Sequence, residues 1–290
     1  MNLKKLLFSS IFFYSFLILT DLNDIIYANV NDIKNISSSL KLQDYKVDVE
    51  AKELKFIENN LSGITYNKDT DTLFAITNKP RDIYEITLNG DFIRKIELTG
   101  FKDTEDITYL YDGIFAVIDE KKAQFFVFYL DKNTEKIDIS NVKDSFRLKI
   151  NSYKNFGYEG ISYDKKNDTI FIVNEKFPLE LIKIKNFISK KSMDITFSNK
   201  LTAYNNFMGD FSSLFFENRS GSLLFLSDES KMIAEVDSEN GAQISFLQLK
   251  EGFLGLKKDI PQAEGISMDN KGNLYIVSEP NLFYIFKRDL

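Results

Sequence analysis

One short pattern returns five times along the chain and constrains its fold more than any other feature. Its copies are Ser62-Gly63-Ile64-Thr65-Tyr66, Glu105-Asp106-Ile107-Thr108-Tyr109, Glu159-Gly160-Ile161-Ser162-Tyr163, Ser212-Ser213-Leu214-Phe215-Phe216 and Glu264-Gly265-Ile266-Ser267-Met268. Each copy leads through a polar turn into a second apolar run, at residues 73–76, 114–117, 170–173, 224–226 and 274–277. Asn89-Gly90 and Asn240-Gly241 then separate further apolar runs with the residue pair that a tight β-hairpin prefers. The repeating unit is therefore about four antiparallel strands, and units of that size repeating every 43 to 54 residues read as propeller blades. A helical solenoid would need 3.6-residue periodicity over long runs, and a β-sandwich would not restart each unit with one motif.

The final unit is one strand short, because the chain ends soon after the apolar run at 282–286. Near the front, Tyr45-Lys46-Val47-Asp48-Val49-Glu50 alternates apolar and polar residues with no blade of its own. Pairing these two stretches closes the ring and removes both free sheet edges. The prediction is an all-β chain: a single β-propeller at 41–290 with four-stranded antiparallel blades and an N-terminal closing strand. Five blades are expected, or six if a long spacing hides a degenerate blade.

Ahead of the propeller, Lys4 and Lys5 precede a mostly apolar stretch at 6–19, shorter than the ~20 residues that usually span a bilayer. Residues 1–28 read as a signal peptide or an N-terminal membrane anchor, with Ile26-Tyr27-Ala28 as an imperfect cleavage site. Residues 29–40, rich in Asn, Asp and Ser, read as a linker. The expectation is export to the cell envelope, in the periplasm or anchored at the plasma membrane. With no cysteine there is neither a lipid attachment point nor a disulfide.

The chain also contains no histidine. This excludes Ser-His-Asp and Cys-His nucleophile systems, thiol redox chemistry and the usual zinc and haem ligation. A net charge of −6 argues against nucleic acid as a partner. Oxygen chemistry remains, and any bound metal would be a hard cation.

Hairpin geometry gathers the acids. The first motif residue of each unit is Ser62, Glu105, Glu159, Ser212 or Glu264, and the second strand returns to the same rim at Asn78, Asp119, Glu175, Glu229 and Glu279. Asp103 and Asp210 precede their inner strands and can join them. Glu105, Glu159, Glu264, Asp210, Asp119, Glu175, Glu229 and Glu279 are thus the candidate metal ligands, with Ca²⁺ the expected ion. A metal-free polar funnel and ordinary solvated blade ends are the competing readings. No EF-hand-type loop occurs. Lys-Lys pairs, including Lys165-Lys166, read as solvated turns, and the aromatic run at 125–129 reads as sheet core.

Several motifs resemble the SdiA-regulated (YjiK-like) β-propeller family. Asn60-Leu61-Ser62-Gly63-Ile64-Thr65-Tyr66 is similar to its first-blade signature and Leu226-Ser227-Asp228-Glu229-Ser230 to its fourth. Ile260-Pro261-Gln262-Ala263-Glu264-Gly265 with Ser278-Glu279-Pro280-Asn281-Leu282-Phe283 is similar to its last. The resemblance implies a calcium-binding bacterial envelope protein with an N-terminal membrane segment and no settled biochemical activity.

Two functions of different class follow. One is a monomeric calcium-binding propeller that holds an unknown small molecule or envelope protein at its acidic rim. The other is a metal-dependent hydrolase (a lactonase, phosphoesterase or phytase-like enzyme) using the same rim, with Glu105 and Glu159 or Glu264 as acid and base. The missing histidine and the absence of basic rim residues weigh against the second.

Overall fold

The second strand of each repeat is apolar at nearly every position because it is covered on both sides. Residues alternate direction along a strand, so in Ile170-Phe171-Ile172-Val173 the two isoleucines enter one core cluster while Phe171 and Val173 enter the next. In the computed structural model, which describes residues 39–142, 144–147, 157–175, 179–198 and 208–288, every blade works this way. The proposed leader at 1–28 and most of the linker at 29–40 lie outside the described residues.

The ring has five blades. Strand β1 (Tyr45–Glu53) comes first in the chain but belongs to the last blade. Blade 1 contains β2 (Leu61–Asn67), β3 (Thr72–Asn78), β4 (Arg81–Ile86) and β5 (Phe92–Thr99). Blade 2 begins with β6 (Thr104–Tyr111), β7 (Ile114–Asp119) and β8 (Gln124–Tyr129). The chain then leaves it: β9 (Lys136–Asp138) pairs parallel to β5 as a fifth strand of blade 1, and β10 (Asp144–Arg147) returns to complete blade 2. Blade 3 is β11 (Tyr158–Asp164), β12 (Thr169–Asn174), β13 (Leu181–Lys185) and β14 (Asp194–Phe197). Blade 4 is β15 (Ser213–Glu217), β16 (Ser222–Ser227), β17 (Met232–Asp237) and β18 (Gln243–Gln248). Blade 5 is β19 (Ala263–Met268), β20 (Leu274–Ser278) and β21 (Leu282–Arg288), closed by β1.

Ring closure follows the sequence expectation. Tyr45 pairs with Arg288 and Val49 with Ile285, antiparallel, with irregular register between Val47 and Lys52. Five apolar clusters fill the five blade-to-blade interfaces; that between blades 5 and 1, for instance, joins Ile64, Leu73 and Ala75 to Tyr275, Val277 and Phe283. Phe125 and Phe126 are buried as expected, whereas Tyr129 at the strand end is exposed.

The repeated motif sets the axis. In blades 1, 3 and 5 its fourth residue carries a hydroxyl that ties neighbouring inner strands together. Thr65 accepts the Tyr109 N–H at 3.0 Å, Ser162 accepts that of Phe216 at 2.8 Å, and Ser267 accepts that of Tyr66 at 2.9 Å. At the second position the strands approach so closely that a Cβ on Gly265 would lie 2.9 Å from the backbone of Gly63. The remaining space is filled from blade 2. The Asp106 carboxylate reaches across the axis to accept Ile161 N–H at 3.0 Å from blade 3 and the Ser213 hydroxyl at 3.4 Å from blade 4. Asp106 thus divides the channel into two separate ends, and burial holds its pKa well above the usual carboxylate range.

Candidate functional site

Inner strands begin, and second strands end, at the same rim. There the loop at 100–103, the first residues of β6 and a 3-10 turn at Glu120–Lys122 bring Asp103, Glu105 and Glu120 together, with one carboxylate oxygen from each lying within 4.8 Å of the others. Asp119 holds this arrangement from below. It is fully buried, and its oxygens accept the N–H groups of Lys102 at 2.7 Å, Asp103 at 3.3 Å and Lys122 at 3.3 Å. The Glu120 N–H donates to the Asp103 carbonyl at 2.8 Å, closing the same loop. Asp119 therefore faces backbone amides and positions the acids on either side of it.

Three glutamates project from the inner strands of blades 2, 3 and 5 toward one another. Burial, then Asp103 and Glu120, push Glu105 up to about 7. Burial, followed by the charges of Asp228, Glu279 and Glu105, pushes Glu264 up to about 8. Glu159 lies well above its ordinary value because it is buried and faces Glu105, Glu120, Glu175 and Glu264. These mutual repulsions place Glu105, Glu159 and Glu264 in one electrostatic cluster, as hairpin geometry predicts. Glu175 approaches Glu159 across Gly157, where a Cβ would meet oxygens of both at about 3.5 Å.

Around the ring, Asp210 accepts the Ser227 hydroxyl and, at 3.1 Å, the Glu229 N–H, and burial raises it to about 6. Glu229 packs against Gly209, and Glu279 is raised by burial alone. The rim contains two acids that lie outside the motif and strand-end positions, Glu120 and Asp228. Asp228 accepts Ala263 N–H at 3.0 Å and pairs with Lys231 at 2.5 Å, beside Glu264. Each is the immediate neighbour of a strand-end acid, Asp119 or Glu229, so a doubled acid at the strand end is the sequence signal for it. A basic group is present too: Lys121 Nζ pairs with Asp103.

Such a cluster is all oxygen and partly withdrawn from water, and Asp103, Glu105 and Glu120 could hold a hard cation.

The sequence model of the SdiA-regulated family matches residues 37–287. The chain belongs to the SdiA-regulated family. Among solved structures, this SdiA-regulated protein is similar in fold to a glutaminyl cyclase from Myxococcus xanthus, with a TM-score of 0.55 at 11% identity over 83% of this chain and 95% of that one. It is also similar to a luciferin-regenerating enzyme, with a TM-score of 0.52 at 9% identity over 83% of this chain and 94% of the other. At those identities the likeness concerns the fold alone.

Proposed function

We propose that this SdiA-regulated propeller binds calcium at its acidic rim and uses that end of the axis to hold a small molecule or an envelope protein. The observation that carries the reading is the convergence of Asp103, Glu105 and Glu120 within 4.8 Å, with Glu159 and Glu264 close enough to raise the cluster's proton affinity. Asp103, Glu105 and Glu120 would hold the ion, and Glu159 and Glu264 would face it across the axis. Bound calcium supplies positive charge and open coordination positions for ligand oxygens. The Lys4–Lys5 start and apolar stretch at 6–19 support an exported, envelope-held protein.

Thermal melts test the ion. A ligand that binds only the folded state stabilises it by about 2.7 kcal/mol at a hundredfold excess over Kd. Calcium should raise the melting temperature of the wild type, and Glu105→Gln should remove most of that rise. Equal melting temperatures with calcium and with chelator would sink the proposal.

One observation favours a second, hydrolytic reading. A carboxyl raised to about 7 is poised for proton transfer near neutral pH. Calcium-dependent turnover of lactones or phosphoesters, lost in Glu105→Gln and Glu159→Gln alike, would favour this reading over binding alone.

A further inference from the structure

The opposite end of the axis is a separate cavity of about 410 Å³, closed off from the acidic rim by Asp106. Its lining has the reverse chemistry. At the floor stand the hydroxyls of Thr65, Thr108 and Ser162, from three successive blades. Thr65 and Ser162 each accept a backbone N–H from the next blade and retain a hydrogen to donate. The Thr108 hydroxyl, on a residue only 5% exposed, has no hydrogen-bond partner among the described residues. Its oxygen is open to the cavity, where the hydroxyl can donate to whatever enters.

The mouth is lined by Lys68, Lys165 and Lys166, none of which forms a salt bridge among the described residues; Lys165 instead lies 5.5 Å from the centre of the Tyr111 ring. The acids of the lining are already satisfied. Glu217 pairs with Arg219 at 2.5 Å and accepts the amides of Arg219 and Ser220. Asp269 accepts the Lys271 and Asn273 amides, the Asn273 side chain and the Tyr275 hydroxyl. The hydroxyls of Tyr66, Tyr109 and Tyr163 are turned away to Asp71, Asp69 and Asp168, leaving their rings as walls.

We infer that this cavity is a binding site for a small phosphorylated molecule. Three hydroxyl donors around one axis match the three oxygens of a phosphate head, which a two-oxygen carboxylate cannot fill. The three lysines supply the charge that a dianion needs in a partly enclosed site. The volume suits a ligand of sugar-phosphate size. This inference does not rest on the acidic rim.

Inorganic pyrophosphate, added to the full chain in the presence of chelator and followed by amide NMR, tests it. Saturable shifts are expected at Thr65, Thr108 and Ser162, with a Kd below about 1 mM that weakens as salt is raised. Thr108→Val should weaken binding about tenfold by removing one donor to an anion, and the Lys165→Gln/Lys166→Gln pair should weaken it by a similar factor. Both should leave the melting temperature close to wild type, so a loss of binding is not a loss of fold. Lys132→Gln, on an exposed turn of blade 2, should change nothing. Absence of saturable shifts at these amides would overturn the inference. Equal binding of citrate, or unchanged affinity in Thr108→Val, would overturn the phosphate preference or the role of the floor.

Discussion

The two ends of the axis are built from the same five strands and have opposite chemistry. On β6, Glu105 points into the acidic rim while Thr108, three residues later, lines the floor of the opposite cavity. The difference lies in the position within the repeated motif. Its first residue stands where strands begin and carries acids in blades 2, 3 and 5; its fourth carries a hydroxyl in blades 1, 2, 3 and 5. At the rim like charges crowd together and hold protons, whereas at the far end Lys68, Lys165 and Lys166 form no salt bridge among the described residues. The cation proposed for one end and the anion inferred for the other follow from this contrast, with Asp106 between the two ends.

The largest effect should come from a residue that positions the rim without belonging to its open face. Asp119→Ala removes a fully buried carboxylate that accepts three backbone N–H groups. Leaving those amides unpaired costs about 3–5 kcal/mol, read from urea unfolding with and without calcium. Glu105→Gln should do the reverse in chelator, leaving stability unchanged or improved because one repelling charge is gone. If the two variants behave alike, the division between holding the rim and forming the site fails.

Next in size is the response to pH, which should distinguish the ends directly. Glu105 and Glu264 hold their protons up to about 7 and 8 in the folded chain, while in the unfolded chain they release them near pH 4.5. The folded state then carries more bound protons between those values, so its stability falls as pH rises from about 5 to 8. For Glu105 alone the shift to about 7 corresponds to about 3 kcal/mol, an upper bound for a partly hydrated group. Calcium should cancel this fall, and its affinity should rise over the same window as protons leave. A flat stability profile in chelator between pH 5 and 8, measured by urea unfolding, would break the electrostatic account of the rim. Pyrophosphate shifts at the far end should not follow these carboxyl titrations.

Much of this was legible in the sequence because it depends on strand alternation and counting. The apolar run Ile170-Phe171-Ile172-Val173, placed after a polar turn in a repeating unit, read as a strand, and the missing last strand pointed to the stretch at 45–50. The rim followed from hairpin reversal, which needs no knowledge of packing. What stayed hidden depends on local register. Whether Asp119 or Glu120 faces the open rim is decided by where β7 ends, a difference of one residue that turns a side chain through to the other face. The excursion of β9 to blade 1 has no local signal, since a three-residue strand owes its pairing to its neighbour. Lys165-Lys166 reads as a solvated turn on composition alone; it becomes a cavity wall only because the turns of blades 1, 3, 4 and 5 meet around the axis.

The smallest expected effect tests an exception to the contrast, a cation that pairs directly with an acid of the Asp103–Glu105–Glu120 cluster. Lys121 is largely exposed, pairs with Asp103, and is itself stabilised in its charged form first by that hydrogen bond and then by the charge of Asp103. In chelator it partly neutralises the cluster; when calcium binds, it competes for the same carboxylate oxygens. Lys121→Met should therefore act in opposite directions on the two states. Without calcium the cluster repels itself more strongly and the melting temperature falls. With calcium the competitor is gone, and affinity should rise by a factor of about five at most, the range of an exposed ion pair. The calcium-dependent rise in melting temperature thus becomes larger in the variant than in the wild type. A smaller rise would mean that Lys121 helps to hold the bound state, by reaching a ligand beside the ion, and the rim would then resemble the far end in using an ammonium group for recognition.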